Sequence, residues 1–120
     1  MRISDAIAMF DKYAGDVADS QLKYHWLQQI EDIIYNEIIS THEREVEKPK
    51  SVLEGDRELL CPDAYAELYI HYLNMQNDLF LRDVNGYHNN ANAFVAAYTA
   101  YADWYNRVHI PKETFAVSGI

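Results

Sequence analysis

Residues 62–109 read PDAYAELYIHYLNMQNDLFLRDVNGYHNNANAFVAAYTAYADWYNRVH, and this stretch decides the fold. Before the Asn85–Gly86 dipeptide, Tyr65, Leu68, Tyr69, Tyr72, Met75, Leu79 and Phe80 recur at three- and four-residue spacing. After it, Tyr87, Ala91, Phe94, Val95, Tyr98, Tyr101, Ala102 and Tyr105 do the same. Such spacing gathers each set on one face of an α-helix, whereas a strand would alternate at every second residue. Pro62 suits the first helical position, with Asp63 beside it near the positive end of the helix dipole. Asn85–Gly86 is a turn-type pair. Two helices are therefore predicted, near residues 62–83 and 87–109, each roughly 30 Å long. The short connection between them requires an antiparallel hairpin.

Working outward, Ser4 is a good N-cap for a first helix near 4–14, with Ile3, Ile7, Phe10 and Tyr13 on its apolar face and Gly15 as its stop. A second helix is predicted over 20–41. Its stripe is Trp26, Leu27, Ile30, Ile33, Ile34 and Ile38, with Lys23, Glu31, Asp32 and Asn36 off that face. The fold class is thus all-α: one domain spanning 1–120, with four helices, a central loop at 42–61 and an extended C-terminal arm at 111–120. The loop is charged and punctuated by Pro49 and Gly55. At about 20 residues it is longer than a compact domain normally tolerates, so it is either a partly disordered linker or an arm that orders against another subunit. The arm carries Phe115, Val117 and Ile120 at nearly alternate positions. A frayed end is the default there, and an extended segment that adds to a neighbour is the alternative.

Composition narrows the function classes. The 120 residues hold 49% hydrophobic and 24% charged residues, and 10 Lys and Arg against 19 Asp and Glu leave a net charge of −9. That balance argues against a protein whose task is gripping phosphates, so no sequence-specific nucleic-acid partner is expected. The longest apolar run, Ala93 to Tyr98, is far short of a membrane span, and MRISDAIAMF does not have the pattern of a secretory signal. The single cysteine, Cys61, excludes an intramolecular disulfide framework.

Catalytic chemistry is not expected. Glu67 and His71 stand four apart on one helix face, but no Glu-x-x-His pair accompanies them, and they read as a salt-linked surface pair rather than metal ligands. His42 suits the C-terminal end of the second helix as a cation. Ser40, Ser51 and Cys61 lack a nucleophile signature, and no Gly-rich phosphate loop is present. No catalytic, metal or cofactor residue is therefore assigned. Ten tyrosines are many for this length, and seven belong to the predicted hairpin. They read as an aromatic core with hydroxyls at its wet rim, or in part as an interface. Ile30→Asp and Phe94→Asp are each expected to unfold the chain.

Three stretches resemble small proteins encoded in the structural gene clusters of tailed phages (siphophages) and prophages of Gram-positive bacteria. One joins Lys23-Tyr24-His25-Trp26-Leu27 to Glu37-Ile38-Ile39-Ser40-Thr41-His42-Glu43. Another is Glu58-Leu59-Leu60-Cys61-Pro62-Asp63-Ala64-Tyr65. The last joins Tyr87-His88-Asn89-Asn90 to Tyr98 and Trp104-Tyr105-Asn106-Arg107-Val108-His109-Ile110-Pro111. The chain departs from that pattern at Cys61, where an apolar, often β-branched residue is expected, and in its short, highly charged central loop. The resemblance is to head–tail connector (adaptor) proteins. It implies a small helical virion protein, made in the host cytoplasm, that assembles as a homo-oligomeric ring beneath the portal and meets portal and tail-joining proteins. The alternative is another phage-encoded interaction protein: a tail completion protein, a tail-assembly chaperone or a small regulatory binder. A ring subunit needs segments that reach its neighbours, so Leu53, Leu59, Leu60, Phe115, Val117 and Ile120 are the candidate interface. Replacing Leu59 and Leu60 by Ser is expected to leave the fold intact.

Overall fold

The computed structural model describes residues 1–14 and 19–112. Four α-helices follow one another: α1 (Ile3–Ala14), α2 (Ser20–Glu37), α3 (Glu67–Phe80) and α4 (Val84–Val108). Among the described residues there is no β-strand, only two single-residue antiparallel bridges, Arg2 with Glu58 and His42 with Pro111. The protein is all-helical. The stop expected at Gly15 and the arm residues 113–120 lie outside the described residues.

Helix α3 is the hub, since α1, α2 and α4 all pack on it, and α4 most extensively. Ring pairs between the third and fourth helical segments run in opposite order: Tyr65 meets Tyr101 and Trp104, while Tyr72 meets Phe94. The core is Phe10 and Ala6 from α1, Leu27, Ile30 and Ile34 from α2, Leu68, Tyr69 and Leu73 from α3, and Tyr101 from α4, all without solvent exposure. Helix α4 has its other buried residue at Tyr105, also in its C-terminal half.

Helix boundaries differ from the sequence-based ones for local reasons. Helix α1 begins at Ile3, so Ser4 is inside it rather than capping it. Ser4 instead donates both its N–H (3.0 Å) and its hydroxyl (2.7 Å) to Asp56, a cap supplied from the far side of the chain. Helix α2 stops at Glu37, and a 3-10 turn (Ile39–Thr41) follows. Its last carbonyls are taken up by side chains: Ser40 Oγ donates to Asn36 O (3.0 Å) and Thr41 Oγ1 to Ile38 O (2.8 Å). Pro62 precedes a 3-10 turn (Asp63–Tyr65) instead of opening α3 itself.

The reversal between α3 and α4 is at Leu81–Asp83, not at Asn85–Gly86, which lie in the first turn of α4. Asp83 N donates to Asp78 O (2.8 Å), closing the helix end around Arg82, whose φ of 59° is left-handed. Asp83 then caps α4 by accepting from Gly86 N (3.0 Å). A Cβ at Gly86 would stand 2.6 Å from Asp83 Oδ2 and 2.9 Å from Asp78 Oδ2, so the glycine is needed for the close approach of two carboxylates. Arg82 occupies the position that glycine usually fills. Arg82→Gly is expected to stabilise the chain by about 0.5–1 kcal/mol, read from denaturant midpoints. Destabilisation would mean that the arginine side chain contributes more than its backbone strain costs.

Candidate interaction surface

The 42–61 segment is fastened to its own body by a series of side chains. Tyr35 donates its hydroxyl to Val46 O (2.7 Å), and Gln28 Oε1 accepts from Val52 N (2.8 Å). Val52 is buried. Arg2 Nε (3.1 Å) joins Ser4 on Asp56, tying the segment to α1. Donation from Ser4 above all, and then from Arg2, holds the Asp56 carboxyl down at about 2. A depressed acid stabilises the fold above its unfolded value of about 3.9, and that contribution is lost as pH falls through about 2. Melting temperatures of Asp56→Asn are therefore expected to fall less between pH 4 and 2 than those of the wild type, in roughly the range set by those two values. Parallel curves would place the acid sensitivity elsewhere.

The strongest fastening is at Glu31, which is buried despite its predicted place off the apolar stripe of α2. Its carboxylate accepts from Arg57 Nη1 (2.8 Å), from the Tyr69 hydroxyl (2.6 Å) and from Leu60 N (3.3 Å). Tyr69 Oη in turn accepts from Cys61 N (2.9 Å). One carboxylate on α2 thus joins the end of the segment to α3. Lys23, also expected off the stripe, is buried and donates to Asp11 (2.7 Å), linking α2 to α1.

This environment suppresses reactivity. Burial, and then the Glu31 charge, push the Cys61 thiol up to about 12, so it stays protonated at neutral pH. Burial first and the same carboxylate second push the Tyr69 hydroxyl well up. Tyr101 Oη is buried with no hydrogen-bond partner. Tyr101→Phe is consequently expected to be neutral or to stabilise by up to about 1 kcal/mol in denaturant unfolding, because it removes an unsatisfied hydroxyl and keeps the ring. A loss of more than about 1 kcal/mol would show that the hydroxyl is satisfied in solution.

His42 is a buried junction between the ends of α2 and α4. Its Nδ1 lies 2.6 Å from Ile38 O and its Nε2 lies 2.8 Å from Asn106 Oδ1, with the Tyr105 ring 4.6 Å away. Beside it Glu43 N donates to Ile110 O and Lys112 N to Thr41 O, each at 2.8 Å. The segment leaving α4 is thereby pinned against the end of α2. Glu67 and His71, expected as a salt-linked pair, are not among the ion pairs of the described residues. They line a shallow hollow of about 240 Å³ with Met9 and Tyr13 instead. Among the described residues, no group of three or more His, Cys, Asp and Glu could hold a metal ion, and no helix is long and apolar enough to cross a membrane.

The six candidate interface residues are placed very differently. Leu53 is 73% exposed at the outer edge of the 42–61 segment. Leu59 is 6% exposed and belongs to the core, so its replacement by Ser would open a cavity rather than leave the fold untouched. Leu60 is half-buried, with its N–H on Glu31. Phe115, Val117 and Ile120 lie outside the described residues.

Other apolar side chains face solvent at the two ends of the α3–α4 pair. At the reversal, Leu79, Phe80, Leu81 and Val84 are all exposed. Leu79 and Phe80 were expected on the core stripe of α3. Leu79 faces solvent, and the Phe80 ring meets Trp26 of α2 edge-on, 6.4 Å between ring centroids, without being covered by it. Val95, expected on the α4 stripe, is likewise exposed. At the opposite end, Val108 and Ile110 are exposed. No family model, curated protein or solved structure matches the chain.

Proposed function

We propose that this chain is a virion structural protein of a tailed phage or prophage, a head–tail connector subunit that joins copies of itself into a ring beneath the portal. The observation that carries the reading is the exposure of Leu79, Phe80, Leu81 and Val84 at one end of the molecule and Val108 and Ile110 at the other. Large apolar side chains left in solvent are candidates for a partner to cover. Beside them, the only free thiol is buried and protonated, which is what a structural part without covalent chemistry needs. The sequence stretches that resemble connectors include helix-end and junction residues such as Ser40, Thr41 and His42. Their hydrogen bonds hold the end of α2 together, which is the work of a scaffold.

On this reading the protein acts without a cofactor and has the host cytoplasm as its place of synthesis and the virion as its destination. The free chain is monomeric or weakly associated. Its net charge of −9 makes copies repel, and a portal surface offsets that repulsion by presenting many adjacent sites. The test is deletion of the gene in the phage or prophage that carries it, with complementation. DNA-filled heads and separate finished tails are expected. Normal particles would refute the reading. Malformed tails with normal heads would indicate a tail-assembly factor instead.

A further inference from the structure

We propose that the hollow between the N-terminal half of α2, the tip of the 42–61 segment and the last turn of α3 receives the residues after Lys112 of a second copy, with Phe115 seated between Leu53 and Phe80. The proposal rests on the ring reading above and names the contact that would link its copies. The hollow measures about 770 Å³, room for several side chains. Leu22, Tyr24, Leu53 and Phe80 form its apolar wall, and one further acid, one histidine and two glutamines also line it. Leu53 is 73% and Phe80 57% exposed, so this wall faces solvent in the single chain. A second hollow of about 370 Å³ shares Tyr24 and Leu53 and extends the groove toward Ile3 at the start of α1.

The path of the chain selects that occupant. The bridge of His42 with Pro111 is antiparallel, closed by Glu43 N on Ile110 O and Lys112 N on Thr41 O. The chain therefore passes residues 41–43 in the direction opposite to theirs. From there the 42–61 segment runs back along α2, meeting Tyr35 at Val46 and Gln28 at Val52, one residue before Leu53. Lys112 thus heads away from the hollow of its own copy. Gln28 and Thr41 are roughly 20 Å apart along α2 and the turn that follows it. Phe115, three residues past Lys112, is within about 10 Å of it even at full extension. Phe115 of the same copy cannot reach Leu53, whereas Phe115 of a neighbour can. Thr114 to Ile120 hold no charged side chain, and an extended segment presents Phe115 and Val117 on one side. A chain of net charge −9 can insert such a segment into a neighbour without adding charge to the contact. Groove and segment are different surfaces, so the contact is heterologous and repeats from copy to copy until a ring closes.

Disulfide trapping between two full chains of different tag tests this directly. One chain carries L53C and the other F115C, so a bond between the two tags joins two copies by construction. Cys61 is buried and supplies no background. Under mild oxidation, L53C with F115C is expected to give the mixed product roughly tenfold faster than V95C with F115C, a control whose first cysteine is also exposed. Adding Phe80→Ser to the L53C chain should slow the mixed product severalfold, because the wall of the hollow is then incomplete. Equal rates for L53C and V95C would overturn the proposal. An L53C homodimer forming faster than the mixed product would overturn it in favour of a symmetric contact between hollows. A rate unchanged by Phe80→Ser would show that the segment lies outside the hollow. If trapping fails while the protein is found in virions, the ring reading stands and its interface is elsewhere. If trapping succeeds and virions lack the protein, the contact stands and the ring reading fails.

Discussion

Glu31→Ala is expected to destabilise the chain by about 3–5 kcal/mol, the range for removing one partner of a buried charge pair. The loss would come from several groups together. Arg57 would keep its charge beside a cavity, the Tyr69 hydroxyl would lose its acceptor, and Leu60 N would lose its only carboxylate. Glu31→Gln separates charge from shape: it keeps an acceptor for Tyr69 but faces Arg57 with a neutral group, so an intermediate loss is expected. Urea unfolding of both variants is the measurement. A loss below about 1 kcal/mol for Glu31→Ala would mean that the 42–61 segment does not depend on this carboxylate.

Ile30→Asp is expected to unfold the chain. Ile30 of α2 is completely buried in the apolar core, so an aspartate there would carry its charge out of water. The cost of several kcal/mol is comparable with the whole stability of about 5–15 kcal/mol. Phe94→Asp, by contrast, is now expected to be milder. Phe94 is only partly buried, with its ring beside Tyr72 and Tyr98, so a charge there retains water. Circular dichroism and thermal melting distinguish the two. A cooperative transition at the wild-type temperature for Ile30→Asp would contradict the assigned core.

The helices were legible because their apolar residues follow the helical period and because punctuating residues fall near their ends. What escaped the sequence shows why. Glu31 lies four residues after Leu27 and three before Ile34, so its position on the stripe was visible. Its charge argued it off the face, and only the arrival of Arg57, Tyr69 and Leu60 from distant parts of the chain makes burial affordable. The same holds for Lys23, whose partner Asp11 is on another helix. The turn was misplaced because Asn85–Gly86 is a stronger local signal than Leu81–Asp83, while a left-handed arginine has no signature at all. Leu79 and Phe80 fit the helical period, yet both remain exposed, Phe80 with only a ring contact to Trp26, and periodicity does not report how completely neighbouring helices cover a face. From the sequence, an interface is expected on apolar residues in irregular segments. Leu59 shows that such segments also supply the core, and Ile110 and Val84 show that helix ends supply exposed surface.

The most direct test of the connector reading is the protein content of purified particles, followed by its position within them. Intact virions should contain this chain in a fixed ratio to the portal protein, and gold-labelled antibody should mark the junction of head and tail. Packaged heads from a tail-defective mutant should carry it too, whereas free tails should not. Absence of the chain from both intact virions and packaged heads would contradict the account, whatever the protein does during assembly.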